Sequence, residues 1–498
     1  MICVSLGRTR HRMMIADHRA LAERGVELVE LRLDWLAHRP DLNRLLADRP
    51  TPVVVTCRRE ADRGRWKDSE PQRQTILRSA VAAGVEYVDL EEDTARSIPR
   101  YGKTRRIISH HDFNETPLDL EQIHARLCQC DPDIVKLATM ANSPTDNVRM
   151  LRLVAGAKVP TVGICMGELG VPSRILTGRF GAPFTYATFS SDRELGPGQL
   201  SFQAMQRVYR YDKISMTTKI YGVLGDPISH SLSPVLHNAA FENAGIDAVY
   251  VPFRVPKDAL AATLDQLSWL GVQGLSVTLP HKEAVLGVTI RHDPPVSEIG
   301  AANTLYRDEE GLWRTNNTDY DAALESLKIG LAEPDEDALS PLAGKTVLML
   351  GAGGVARAIG MGVVRAGGAL TITNRKHARA VELAKHLGCK QTQWENRGAV
   401  FADILINCTP VGMHPDLDAT PFAANWLREG TLVFDTIYNP ERTLLIKQAR
   451  ERGCPTVSGV EMFVRQAARQ FHLFTGRPAP LDFMRDTLRK AISVVKTP

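Results

Sequence analysis

Residues 345–360 read KTVLMLGAGGVARAIG. An apolar run, Thr346 to Leu350, enters a glycine cluster and leaves it with helical spacing, the pattern of a buried strand turning into a helix. Gly351, Gly353 and Ala356 fit GxGxxA. Such glycines permit a tight turn and let backbone N–H groups approach a pyrophosphate, which the helix N-terminus also attracts. Gly351, Ala352, Gly353, Gly354 and Val355 are therefore expected to bind a dinucleotide. An NAD site would place an acid at the end of the next strand, about 20 residues on. Here that strand, Ala369 to Asn374, ends in Asn374, Arg375 and Lys376. Cations fixed there favour a 2′-phosphate, so NADP(H) is expected over NAD(H); a solvated basic strand end is the plainer alternative. With further strands at Ile404 to Cys408 and Leu432 to Asp435, residues 340–459 form a Rossmann-like domain.

Towards the N-terminus, the acidic stretch from Gly330 to Gly344 carries two prolines and reads as a linker. Before it, strands and helices alternate from Ile220 onward, which sets a domain at 219–335, completed by helices in 460–498. GDPISHSLSP (225–234) presents Ser231 and Ser233 with spacing that offers two hydroxyls to a polyol or carboxylate, though serines also serve ordinary turns. VTLPHK places Thr278 and Lys282 where a strand meets a helix, and Asn303 and Asp319 follow. Together these side chains could relay a proton to an alkoxide, as hydride transfer to a ketone requires.

Residues 1–212 have another rhythm. Eight short Val-, Ile- and Thr-rich runs begin at Ile2, Val26, Pro52, Tyr87, Arg106, Asp133, Pro160 and Phe184, separated by helical stretches. Alternation of this kind predicts parallel βαβ units, and eight in this length fit a (β/α)8 barrel, with an open doubly wound sheet as the alternative. Barrel chemistry sits at the C-terminal ends of strands. Those ends are charged: Glu30, Arg32 and Asp34 in ELRLD, Arg58 in VTCR, His110 and His111 in SHHDF, and Arg174 after the seventh. Lys136 stands inside DIVKLATM. Burial beside other cations would favour its neutral amine, which can attack a ketone to give a Schiff base; a core ion pair is the competing reading.

The whole chain has 498 residues, 24% charged and 44% hydrophobic, which suits about three globular domains and excludes a disordered or disulfide-stapled chain. Its 61 cations and 57 anions leave +4, too little for a nucleic-acid footprint. The excess lies entirely in residues 1–212, which hold 31 Lys and Arg against 27 acids, and only four of the 31 are lysines. Eight cysteines without recurring spacing, including a lone CxC at Cys128 and Cys130, argue for reduced thiols, no metal and a cytoplasmic location. Neither a signal peptide nor a membrane span is expected, and neither a nucleic acid nor a membrane is expected as partner.

ELRLD, SHHDF, DIVKLA, GVPSRILTGRFG and PGQ, in that order, resemble type I 3-dehydroquinate dehydratase. The resemblance implies that Lys136 forms an imine with the substrate ketone and that His111 is general acid and base. Arg174 would grip the carboxylate, and Glu30, Arg32, Arg58 and Gln199 the ring hydroxyls. Where the family carries serine four residues before the PGQ glutamine, this chain has Leu195. Where it carries glutamate four residues after the strand-three arginine, it has Asp62, with Glu60 as a second candidate.

Residues 219–498 resemble shikimate dehydrogenase through GDPISHSLSP, VTLPHK, NTL, NTD, GAGGVARA, TNRK, NCTPVGM, FDTIYNP and GVEMFVRQA. This implies a catalytic pair of Lys282 and Asp319, with Ser231, Ser233, Thr278, Asn303, Tyr438 and Gln466 around the substrate. Thr409 and Met462 would line the nicotinamide. The expectation is a plant-like fusion that dehydrates 3-dehydroquinate and then reduces 3-dehydroshikimate with NADPH. A Schiff-base aldolase joined to a quinate dehydrogenase, and a non-catalytic metabolite sensor, are the rival readings.

Overall fold

The computed structural model describes residues 1–331 and 342–493. Most of the linker expected over 330–344 lies outside the described residues, as do the last five residues of the chain. The chain divides into two compact units, one of Met1–Ile220 with Asp247–Val272, the other of Tyr221–Ile246 with Gln273–Pro498.

In the first unit, eight strands alternate with helices: β1 Ile2–Leu6, β2 Leu28–Arg32, β3 Val53–Thr56, β4 Tyr87–Glu91, β5 Arg105–Asp112, β6 Ile134–Met140, β7 Thr161–Met166 and β8 Thr185–Thr188. Their order is β7-β6-β5-β4-β3-β2-β1-β8, with parallel neighbours throughout. This is the expected barrel, nearly closed. At the seam, between β7 and β8, the chain after β8 fastens on: Thr188 N donates to Leu200 O at 2.9 Å and Gly167 N to Pro197 O at 3.0 Å.

The period of two along a strand explains the interior. Cys3, Leu28, Val54, Tyr87, Ile107, Ile134 and Val162 come one from each of the first seven strands, Phe184 immediately precedes β8, and all pack into a single apolar cluster. Two residues further along each strand the layer becomes largely polar: Ser5, Glu30, Thr56, Asp89, Ser109 and Lys136, closed by Ile164 and Tyr186. All six of these polar residues are buried. The apolar layer is the floor on which the charged layer stands.

Residues 247–272 supply β10 (Ala248–Arg254), named here after β9 (Lys219–Gly225), and the helix Leu260–Leu270. Within the first unit Trp269 stacks on Phe180 at 5.2 Å, and Arg254 pairs with Glu168.

The second unit holds a sheet in which β9, β11 (Val272–Val277), β13 (Thr304–Arg307), β14 (Trp313–Asn316) and β12 (Arg291–His292) are successive neighbours. β13 is antiparallel to both β11 and β14. It also holds a fully parallel sheet of β15 (Thr346–Leu350), β16 (Ala369–Thr373), β17 (Lys390–Gln391), β18 (Ile404–Asn407), β19 (Leu432–Asp435) and β20 (Thr456–Val457). Its order, β17-β16-β15-β18-β19-β20, is that of a doubly wound dinucleotide fold, with the topological switch between β15 and β18. No helix among the described residues is long and apolar enough to cross a membrane.

Candidate active sites

The charged layer of the barrel opens into a cavity of about 340 Å3 at the C-terminal ends of the strands. It is lined by Glu30, Arg32, Arg58, His111, Lys136, Arg174 and Gln199, which brings the barrel residues given substrate or catalytic roles into one space, while Asp34 and His110 stay outside it. Register explains part of this. Ser109 on β5 pairs with Lys136 on β6, and His111 with Ala138, so His111 stands one pleat repeat above Lys136 on the neighbouring strand.

The nearest charges to Lys136 are carboxylates rather than the cations expected from the sequence. Its Nζ lies 3.0 Å from Asp89 and 3.7 Å from Glu30, and 4.1 Å above the centre of the Tyr186 ring. Glu30 accepts from Ser5 and Thr56, at 2.5 and 2.7 Å. Arg58 donates to Asp89 and Glu91, both at 2.8 Å, and to Ser109 at 3.0 Å. Burial alone would raise the Asp89 carboxyl, but Arg58 and Lys136 hold it well below the usual carboxylate range. Burial first, then Arg58 and Lys136, push His111 well below the ordinary histidine value, which leaves a neutral imidazole able to accept a proton.

Arg174 stands apart. Its Nη2 donates to Pro197 O at 3.0 Å, while Nε and Nη1 are buried without a partner among the described residues and burial lowers the guanidinium to about 10. Unused buried guanidinium donors suit an anionic oxygen such as that of a carboxylate. Arg32, by contrast, already makes a two-pronged pair with Asp34, at 3.0 and 2.9 Å. Leu195 N donates to Gln199 Oε1 at 2.9 Å, orienting that side chain. Asp62 lines the cavity and accepts from Arg59, whereas Glu60 does not line it.

Asp89 was not selected in the sequence, although YVDLE carries the same alternating charge as ELRLD. Arg73, fully buried, holds the outer oxygen of Glu91 at 2.9 Å and so backs the Arg58 network.

In the second unit, Lys282 Nζ donates to Asp319 Oδ2 at 2.5 Å, and both residues are buried. Asn317 begins the helix Thr318–Gly330 by accepting from Asp319 N, which fixes the carboxylate on the first turn. Asn303 donates to Thr318 at 2.9 Å and lies 3.5 Å from Gln466 Oε1. Ala302 N donates to Lys282 O at 2.7 Å, joining the lysine loop to the asparagine. Ser233 N donates to Ser231 Oγ at 3.3 Å, so part of the serine pair is engaged in the turn. Tyr438 packs on Phe463 at 4.1 Å, and burial raises its phenol.

Beside Lys282 a cavity of about 650 Å3 is lined by Thr278, Gly351, Ala352, Gly353, Gly354, Val355, Asn374, Arg375, Lys376 and Thr409. Apart from Thr278, expected beside the substrate, these are the predicted cofactor residues; Met462 is not among them and is buried in the core of the parallel sheet. Arg379, on the helix after β16, adds a cation that the sequence reading passed over. Gly351 has φ of 115°, and a Cβ there would lie 2.8 Å from Cys408 O. A Cβ on Gly354 would lie 3.0 Å from the Lys282 side chain. The turn thus packs too closely on Cys408 and Lys282 for a side chain at either glycine, and the far end of the cavity is cationic. These residues fit NADP(H).

Family models match in the same order: type I 3-dehydroquinase over residues 2–216, the shikimate dehydrogenase substrate binding domain over 223–305, NADP oxidoreductase coenzyme F420-dependent over 346–436, and the shikimate 5'-dehydrogenase C-terminal domain over 459–489. The chloroplastic bifunctional 3-dehydroquinate dehydratase/shikimate dehydrogenase of Arabidopsis thaliana is 38% identical over 497 residues, covering 96% of this chain and 82% of that one. The chain belongs to the bifunctional 3-dehydroquinate dehydratase/shikimate dehydrogenase family. It joins a lyase to an NADP-dependent oxidoreductase of the shikimate pathway. The NADP(+) shikimate dehydrogenase of Methanothermobacter thermautotrophicus is 39% identical over 290 residues, 56% of this chain and 99% of that one. A shikimate dehydrogenase solved with NADP+ superposes with a TM-score of 0.51 at 32% identity, over 56% of this chain and 96% of that one. That of Aquifex aeolicus gives 0.50 at 30% identity, over 55% and 98%.

Proposed function

We propose that the bifunctional enzyme divides its work between residues 1–212, which dehydrate 3-dehydroquinate, and residues 219–498, which reduce the product. Within the latter, 219–335 with 460–498 would bind substrate and 340–459 would bind NADP(H). The observation that carries the first step is Lys136, a buried primary amine with carboxylates on one side and a neutral histidine above it.

In this reading the Lys136 amine attacks the ketone and water leaves, giving a protonated imine that acidifies the adjacent C–H. His111 removes that proton, and the enamine expels the β-hydroxyl as water with a proton from His111. A second water then cleaves the imine and returns the amine. Arg174 holds the carboxylate through its unused donors, and Glu30, Arg32, Arg58 and Gln199 order the hydroxyls. Asp89 and Glu30 keep Lys136 aimed at the cavity.

Bound NADPH supplies a hydride to the ketone of 3-dehydroshikimate. Lys282 holds the proton that the developing alkoxide takes, and Asp319 fixes the ammonium in place. Ser231, Ser233, Thr278, Asn303, Tyr438 and Gln466 orient the ring, and Arg375, with Asn374 and Lys376, reads the 2′-phosphate. Thr409 would line the nicotinamide. Eight free cysteines fit a reducing compartment, and we assign the enzyme to the cytoplasm.

Shikimate oxidation with NADP+ and with NAD+ tests the second half. The chain should prefer NADP+, and Arg375→Gln should lower the NADP+/NAD+ ratio of kcat/KM by about 10-fold or more, the value of a charge-assisted phosphate contact. An unchanged ratio would place phosphate recognition elsewhere, and no reduction of either cofactor by shikimate would overturn the dehydrogenase assignment.

A further inference from the structure

The barrel cavity holds two arginines that the mechanism does not use. Arg63 and Arg65 both line it and both are exposed at its mouth. They flank Gly64, where the loop after β3 folds back so tightly that a Cβ would lie 2.0 Å from Arg58 O. Gly64 N donates to Arg59 O at 2.8 Å and Trp66 N to Arg58 O at 3.2 Å, which pins the loop to the end of the strand that carries Arg58.

Neither guanidinium has an ion-pair partner among the described residues. Of the nearby acids, Asp34 pairs with Arg32 and accepts only the backbone N–H of Arg65, at 3.0 Å, Asp62 pairs with Arg59, and Glu194 lines the cavity without an ion pair to either arginine among the described residues. What holds the two arginines is aromatic. Arg65 lies 3.4 Å over the Trp35 ring and Arg63 lies 4.6 Å over Phe113, and both rings also line the cavity. An aromatic face positions a guanidinium without neutralising its charge. Phe113 in turn stacks on His111, so Arg63 connects through one ring to the base. Arg63 also sits at φ of 54°, a left-handed conformation that a side-chain-bearing residue rarely adopts. The strain is retained where glycine would remove it.

We propose that Arg63 and Arg65 form an outer anion-binding rim that captures the carboxylate of a small polyhydroxylated acid before it reaches Arg174. The inference rests on the assignment of this cavity to the dehydratase step. Cations held at the mouth of a low-dielectric cleft raise the local concentration of anionic ligand, and salt screens that effect.

The test uses the full chain with Arg63→Gln/Arg65→Gln, which removes charge and keeps length, and with the corresponding double lysine variant. Dehydratase kcat/KM at low ionic strength should fall about 10-fold in the glutamine variant, mainly through KM, and its decline with added salt should flatten; lysines should restore both. A salt dependence equal to the parent's overturns the rim, whatever happens to kcat. Titration calorimetry of 3-dehydroquinate into Lys136→Gln protein, with and without the rim arginines, separates the two assignments. Rim-dependent binding together with a parent chain, Lys136 intact, that shows no dehydratase activity would sink the reaction and leave the rim. Rim-independent binding would sink the rim alone.

Discussion

Borohydride added while 3-dehydroquinate is turning over should inactivate the dehydratase and leave a stable secondary amine on Lys136. The reductant adds hydride to the imine carbon and so traps the intermediate at the residue that formed it. Peptide mapping should find the ligand mass on the peptide containing Lys136, and an adduct on another lysine, or none, would remove the imine mechanism. Lys136→Gln should lower dehydratase kcat by about 10^3-fold or more, because covalent catalysis and the acidified C–H are lost together. The variant needs a thermal melt beside it. Removing Lys136 takes a buried cation from Glu30 and leaves Asp89 to Arg58, a cost of up to roughly 3 kcal/mol. The residual activity of a folded variant is therefore the informative quantity. The pH profile adds an independent reading of His111. Its value is lowered by burial and by Arg58 and Lys136, so it stays neutral as pH falls through the ordinary histidine range. Dehydratase kcat should hold its plateau below about pH 6.5, the usual imidazole value, and decline only in more acidic solution.

Replacing Lys282 or Asp319 should abolish NADPH oxidation and leave dehydration intact. The two groups are 2.5 Å apart and buried, so either substitution strands a charge as well as removing a proton donor or its holder. For Lys282→Ala a fall in kcat of about 10^2 to 10^4 is expected from the loss of general acid catalysis. Asp319→Asn keeps the shape and a hydrogen bond, and should retain more activity than Asp319→Ala. Ultraviolet detection of the conjugated product reads the dehydratase alone, and NADPH absorbance reads the dehydrogenase. Joint loss of both in a protein that melts normally would contradict two separate sites.

Much of this was legible in the sequence because strand faces follow a period of two. ELRLD put Glu30 and Arg32 on one side of β2, and DIVKLATM set a lysine where only a paired or reactive one survives burial. GxGxxA after a buried strand marked the nucleotide turn, and Asn374, Arg375 and Lys376 its cationic end. What periodicity leaves out is which strands become neighbours and how far apart partners lie along the chain. Asp89 meets Lys136 across 47 residues, and only the register of β4, β5 and β6 brings them together. Met462 reads as a pocket residue from its motif, yet the amphipathic helix Gly459–Thr475 turns it into the core. The aromatic supports of Arg63 and Arg65 come from the ends of β2 and β5 and have no local signature. Nor does any local pattern group Asp247–Val272 with the barrel unit.

The central claim is that one chain performs consecutive steps. The most direct measurement supplies purified protein with 3-dehydroquinate and NADPH and no other enzyme, following NADPH absorbance and identifying the product. The account predicts that shikimate accumulates with one NADPH oxidised per molecule formed, after a lag that a supply of 3-dehydroshikimate abolishes. NADPH left unoxidised by an active, folded chain given either substrate would contradict it.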